Sequence, residues 1–207
     1  MISGVKICGI SDLETLKFII NHPKPPQFIG FISNYKKSKR YVDLDTLRRL
    51  TAFNNNKSNF VSVLVNPDNE ILEKIKNLNF NYYQLYNVSP ERTEEIRNKY
   101  RIKIISAITV TNEKDVNKYN DYLKISEIIL FDSKGYDKSE SFDHSLLKDV
   151  PSSLKKMIAG NIQIDDIPNF KNTEYMIDIS GALEDDSGKK DIKKIDKFLN
   201  TVHNINT

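Results

Sequence analysis

One cysteine in 207 residues, Cys8, excludes any internal disulfide, so packing alone has to hold the fold, as is usual in reducing compartments. No apolar run approaches the roughly 18 residues of a membrane span. The first twenty residues mix charges and glycine into their apolar stretch, unlike an export signal. Neither a membrane segment nor a leader is therefore expected, and the cytoplasm is the expected location. A large excess of charge is missing as well: 31 basic residues stand against 28 acidic ones, a formal +3 spread along the chain, which gives no reason to expect a nucleic-acid partner. Also lacking are a Gly-x-Gly-x-x-Gly turn, a Gly-rich phosphate loop, a Gly-x-Ser-x-Gly elbow and a His-Glu-x-x-His helix. His22, His144 and His203 fall in expected loops or on outer helix surfaces, with no ligand-like spacing to Cys8, which argues against a metal.

What the chain does have is repetition. Short apolar, β-branched runs recur at Val5–Ile7, Phe28–Ile32, Phe60–Val65, Tyr82–Leu85, Ile102–Ile108, Glu127–Phe131, Lys156–Ala159 and Tyr175–Ile179. Most lack strict apolar–polar alternation, as strands covered on both faces do. Between them lie segments of helical spacing: Asp43–Phe53, with Asp43 as cap; Pro67–Leu78, with Pro67 in its first turn; Pro90–Tyr100; Asn112–Leu123; Asp143–Val150; and Asp191–Val202. Ser11 is a candidate cap for the first helix. Strand then helix, eight times over, fits a closed barrel or an open doubly wound sheet. The absent dinucleotide fingerprint after the first strand favours the barrel. The expected fold is thus α/β, a single (β/α)₈ TIM-barrel domain over 1–207, compact with short loops.

In such a barrel the residues at the strand C-terminal ends surround one mouth, where catalytic groups collect. Cys8 ends strand one, Arg40 follows strand two, Gln84 lies near the end of strand four and Asp132 ends strand six. Gly160-Asn161 and Ser180-Gly181 close strands seven and eight, a common place for a phosphate cradled by backbone N–H groups. Strands one and six are not neighbours, so Cys8 and Asp132 would flank a substrate as base and acid. Each residue also has a plainer reading: a small core cysteine, a capping aspartate, turn residues chosen for their backbone. The basic run Lys36, Lys37, Lys39 and Arg40 suits a phosphate or a carboxylate, or is loop surface.

Several segments, in order and nearly end to end, resemble the phosphoribosylanthranilate isomerase family of tryptophan biosynthesis. They are Val5-Lys6-Ile7-Cys8-Gly9-Ile10; Ile29-Gly30-Phe31 with Ser38-Lys39-Arg40-Tyr41-Val42; Phe60 to Asn66; Gln84-Leu85; Ile129-Leu130-Phe131-Asp132-Ser133; Ile158-Ala159-Gly160; and Asp178-Ile179-Ser180 with Glu184 and Gly188-Lys189-Lys190-Asp191. The resemblance implies an Amadori rearrangement of N-(5-phosphoribosyl)anthranilate. Asp132 would be the general acid, Cys8 the general base and Arg40 the partner of the anthranilate carboxylate. Gln84, Gly160, Asn161, Ser180 and Gly181 would complete the substrate site. No cofactor and no metal are implied. The expected partner is the small phosphorylated sugar–anthranilate substrate, without nucleic acid or membrane, bound by a monomer or a homodimer.

The chain departs from the family pattern in four places. Lys134-Gly135-Tyr136-Asp137-Lys138-Ser139-Glu140-Ser141 replaces the usual Gly-Gly-Thr-Gly before Phe142-Asp143, and Tyr86 replaces the His of Gln-Leu-His. Asn161 takes the place of a second glycine, and Ser180-Gly181-Ala182 that of Ser-Ser-Gly. These departures keep open an alternative: a sugar-phosphate-binding barrel of the same family with altered or lost activity.

Overall fold

The computed structural model describes residues 1–55, 57–133 and 141–207. The loop-six replacement at 134–140 lies outside the described residues, as does position 56 in the loop at 54–59. Eight parallel strands, β1 (Gly4–Cys8), β2 (Phe28–Ile32), β3 (Asn59–Val65), β4 (Tyr82–Tyr86), β5 (Lys103–Val110), β6 (Ile128–Ser133), β7 (Lys156–Ile158) and β8 (Met176–Ile179), pair in chain order. β8 returns to β1 through Ile7 opposite Ile179, and the ring is closed. The pairing is shortest between β7 and β8, where only Met157 faces Met176 and Ile158 faces Ile177.

Successive side chains of a strand point to opposite faces, and here the two faces feed two separate apolar layers. Phe28, Val61, Val63, Ile105, Ile128, Leu130 and Met157 fill the barrel interior. Their neighbours in sequence, Ile29, Phe60, Leu64, Ile104, Ile129 and Ile158, pack outward against helix residues such as Leu16, Leu47 and Leu72. Both faces being dry, the strands read as unbroken apolar runs.

The helices α1 (Leu13–Asn21), α2 (Leu44–Thr51), α3 (Asn69–Ile75), α4 (Pro90–Tyr100), α5 (Glu113–Asn117) and α6 (Ile192–Asn206) lie between or after the strands. Asp43 caps α2 as expected, accepting the Thr46 N–H at 2.9 Å. Two other caps differ from expectation. Asp12, not Ser11, accepts the Thr15 N–H at the start of α1, and Asp68 accepts the Ile71 N–H at the start of α3, which leaves Pro67 outside the helix. In both places the aspartate immediately before the helix supplies the side-chain acceptor for the N–H three residues on.

The expected helices at 112–123 and 143–150 shorten because each has only two buried side chains to anchor it. Only Val116 and Tyr119 of the first are buried, and α5 gives way to a 3₁₀ turn at Lys118–Tyr122. The second is one 3₁₀ turn, His144–Leu147, anchored by Leu147. The link from β7 to β8 is also 3₁₀, Ile164–Phe170, with Pro168 inside it and unable to donate an α-helical hydrogen bond. Among the described residues no helix is long and apolar enough to cross a membrane.

Candidate active site

The C-terminal ends of the strands open into a cavity of about 630 Å³. The residues expected at the strand ends all line it: Cys8 from β1, Arg40 beyond β2, Gln84 from β4, Asp132 from β6, Gly160 and Asn161 beyond β7, and Ser180 and Gly181 beyond β8; of the basic residues at 36–40 only Arg40 does. In the closed ring β1 and β6 are not adjacent, so the thiol and the carboxyl come from separate walls.

Cys8 is 9% exposed. Burial pushes its thiol above the ordinary value of 9.0, and the Lys6 ammonium opposes that rise. Lys6 is two residues earlier on the same strand and therefore on the same inward face, fully buried, with its Nζ 2.7 Å from Asp178 Oδ2. Burial by itself would lower the affinity of this amine for its proton. The negative charges of Asp178 and Cys8 reverse that effect and hold Lys6 charged above its ordinary 10.5. Gly30 makes room for the arrangement, since a Cβ there would lie 3.0 Å from Cys8 Sγ, Lys6 Cε and Lys6 Nζ. The other oxygen of Asp178, Oδ1, is buried with no hydrogen-bond partner, and Asp178 lines the cavity.

Asp132 presents the opposite chemistry. Burial raises its carboxyl to about 6, with the Tyr86 hydrogen bond holding it back and the Asp178 charge adding to the rise. The Tyr86 hydroxyl donates to Asp132 Oδ2 at 2.7 Å, and Gln84 Nε2 donates to the Tyr86 hydroxyl oxygen at 3.3 Å. Gln84 is wholly buried beneath this chain, its Oε1 without a partner.

The rim is organised by one acid. Glu184 accepts from Arg40 Nε and, at 3.0 Å, from Arg40 Nη2; Lys190 Nζ lies 3.0 Å from its Oε1 and Lys39 Nζ 3.2 Å from its Oε2. Burial would raise the Glu184 carboxyl, but Arg40 and Lys190 outweigh it and hold the group at about 2. Lys190 also donates to the carbonyl of Ser180 at 2.9 Å, and Ser180 Oγ donates to the carbonyl of Cys8 at 3.0 Å, which fixes the β8 turn against β1. After β7, Gly160 at φ +101° and Asn161 at φ +52° form two consecutive left-handed residues. A Cβ at Gly160 would lie 2.5 Å from Ser133 Oγ. Asn tolerates the second position because its short side chain suits that region.

Lys6, Tyr86, Asp178, Glu184 and Lys190 were not among the sequence candidates. Alternation could have found three of them: Lys6 shares a face with Cys8, Tyr86 with Gln84, and Asp178 with Ser180. Glu184 and Lys190 lie in the loop after β8 and carry no periodic signal.

A closed parallel barrel whose C-terminal mouth holds a buried acid, a thiol backed by an ammonium and a cationic rim is the architecture of a barrel enzyme built for proton transfer. Comparison with known proteins narrows this. The family model for N-(5'-phosphoribosyl)anthranilate (PRA) isomerase matches residues 5–201. The isomerase of that name from Rhizobium rhizogenes is 32% identical over 209 residues, covering 96% of this chain and 93% of its own. The crystal structure of phosphoribosyl anthranilate isomerase from Thermotoga maritima superposes with a TM-score of 0.85 at 28% identity, covering 97% of this chain and 98% of its own. A structure of such an isomerase in complex with reduced 1-(o-carboxyphenylamino)-1-deoxyribulose 5-phosphate superposes at 0.83 and 27%, with the same coverage. The chain belongs to the N-(5'-phosphoribosyl)anthranilate isomerase family.

Proposed function

We propose that this single barrel domain, spanning 1–207, isomerises N-(5'-phosphoribosyl)anthranilate to 1-(2-carboxyphenylamino)-1-deoxyribulose 5-phosphate, with Asp132 as general acid and Cys8 as general base. The observation that carries the reading is the shared cavity: a carboxyl raised to about 6 and a thiol beside a buried ammonium line one space.

Asp132 gives its proton to the ribose ring oxygen as the C1'–O4' bond breaks, and the anilino nitrogen lone pair forms the C1'=N iminium. The Cys8 thiolate takes the C2' proton, and the C2'–H electron pair moves into the iminium to give an enolamine. Loss of the O2' proton with gain of a proton at C1' completes the ketone. The iminium is the electron sink, so no cofactor takes part. Arg40, braced by Glu184, pairs with the anthranilate carboxylate, for which a planar guanidinium is well shaped. The phosphate sits at Gly160, Asn161, Ser180 and Gly181. Gln84 supports the floor through Tyr86, and Asp178 Oδ1 offers an acceptor to a sugar hydroxyl. The relative bound to a reduced product analogue supports this substrate class. In this reading the enzyme works in the cytoplasm on a small phosphorylated molecule, without nucleic acid or membrane.

The test is turnover of freshly formed phosphoribosylanthranilate, followed by loss of its fluorescence. Wild type is expected to be active, whereas Cys8→Ala and Asp132→Ala lose most activity and stay folded. Binding of the reduced product analogue by a wild type that shows no turnover would favour the sugar-phosphate-binding alternative. Full activity in both variants would discard the two roles.

A further inference from the structure

We propose that Tyr86 is a positioning residue for the acid: its hydroxyl holds Asp132 Oδ2 as an acceptor, so that the transferable proton resides on Oδ1. This deepens the functional reading above and rests on it.

Donors and acceptors decide which oxygen carries the proton. A phenol has one proton to give. Gln84 Nε2 donates to the Tyr86 oxygen at 3.3 Å, which turns the Tyr86 proton away from Gln84 and toward Asp132 Oδ2, 2.7 Å distant. That bond stabilises negative charge on Oδ2 and makes it the less basic of the two oxygens, because protonating it would weaken the bond. When Asp132 is protonated, the proton therefore belongs on Oδ1. Both Tyr86 and Asp132 line the cavity, and Tyr86 is buried. A carboxylic acid with its proton confined to one oxygen presents one geometry to the substrate rather than two, which is the preorganisation that proton transfer requires.

Other groups face this pair. Asp178 from β8 and Lys6 from β1 act on Asp132 with opposite signs, the Ser133 backbone N–H donates to it, and Cys8 and Asp178 both act on Tyr86. The phenol itself stays neutral, because burial and the Asp132 charge push its ionisation well above the ordinary 10.0. Tyr86 favours the ionised form of Asp132, so removing its hydroxyl raises the pH at which the acid ionises. Asp132 ionises near 6 and Cys8 above 9.0. The low-pH limb of kcat/KM consequently follows Asp132.

Two variants and two readouts test this. In Tyr86→Phe, carbon-13 NMR of the Asp132 carboxyl in the resting protein is expected to show its midpoint about one pH unit higher, and the low-pH limb of kcat/KM moves with it. Replacing Tyr86 by 3-fluorotyrosine keeps the shape and strengthens the donor, so midpoint and limb both move down. Should Tyr86→Phe fail to fold, the fluorotyrosine protein decides alone. A midpoint that stays put, or a limb that ignores a moving midpoint, overturns the role of Tyr86. Asp132→Asn, measured alongside, separates the two levels. If it is inactive while the midpoint stays put in the Tyr86 variants, only the role of Tyr86 falls. If it retains turnover, the acid assignment beneath it falls.

Discussion

The ammonium of Lys6 lies against the thiol of Cys8, two residues further along β1, deep enough that Lys6 has no exposure at all. A thiolate in that position is stabilised by the same cation that pairs with Asp178. Because Cys8 is the only cysteine, its ionisation can be read directly.

Alkylation by iodoacetamide, followed against pH, is expected to show a midpoint above 9.0 in wild type, since burial raises the thiol. Lys6→Met removes the opposing cation, so the midpoint rises further and alkylation at pH 8 slows. The same substitution leaves Asp178 buried without its partner at a cost of about 3–5 kcal/mol, visible in urea denaturation. An unchanged midpoint in a folded Lys6→Met protein would show that the lysine does not act on the thiol.

The two proposed catalytic groups are in reverse order for their tasks: the acid ionises near 6 and the base above 9.0. In the resting enzyme the form with Asp132 protonated and Cys8 ionised is below about a thousandth of the total. Between the limbs its share is constant, because raising the pH makes more thiolate and removes as much acid. The expected kcat/KM profile rises to a plateau above about pH 6 and falls only above pH 9. A maximum confined near pH 5 would contradict the assignments.

Glu184 gathers Arg40, Lys39 and Lys190, and its carboxyl is held at about 2. An unfolded glutamate ionises near 4.3. The stabilisation is therefore complete above that value and disappears as pH falls through about 2. Its size is about 3 kcal/mol. Glu184→Gln is expected to flatten the loss of stability between pH 5 and 2, measured by urea midpoint, and to raise KM several-fold at pH 7 by loosening Arg40.

Gly30→Ala tests the crowding around the thiol. The new methyl would lie 3.0 Å from Cys8 Sγ and Lys6 Nζ, so both side chains have to shift. A stability loss of about 1–3 kcal/mol should come with a kcat decrease of at least tenfold, out of proportion to any change in KM. Unaltered kcat would mean that the Lys6–Cys8 arrangement tolerates displacement.

The barrel and its mouth were legible in the sequence because they rest on period and order. Eight apolar runs gave eight strands, and the positions just past them, Cys8, Asp132, Gly160 and Ser180, line the cavity. What supports those positions was less visible. A lysine inside a strand ordinarily faces water, and only ring closure turns Lys6 and Asp178 toward each other in the interior. Tyr86 fell one residue past the expected end of the fourth strand. Helical spacing cannot distinguish an α-helix from the 3₁₀ turns at His144–Leu147 and Ile164–Phe170, where burial and Pro168 decide.

Since the strand ladder runs full circle, neither flank of any strand is open to a stray extended peptide or to another sheet. Association in the folded state has to recruit helices and loops. For the sheet to become adhesive a seam must first part, and the weakest lies where two residues of β7 meet two of β8. Local opening of the barrel should begin there, so among the strand amides exchange would be faster at Met157, Ile158, Met176 and Ile177 than along the longer β5–β6 pairing.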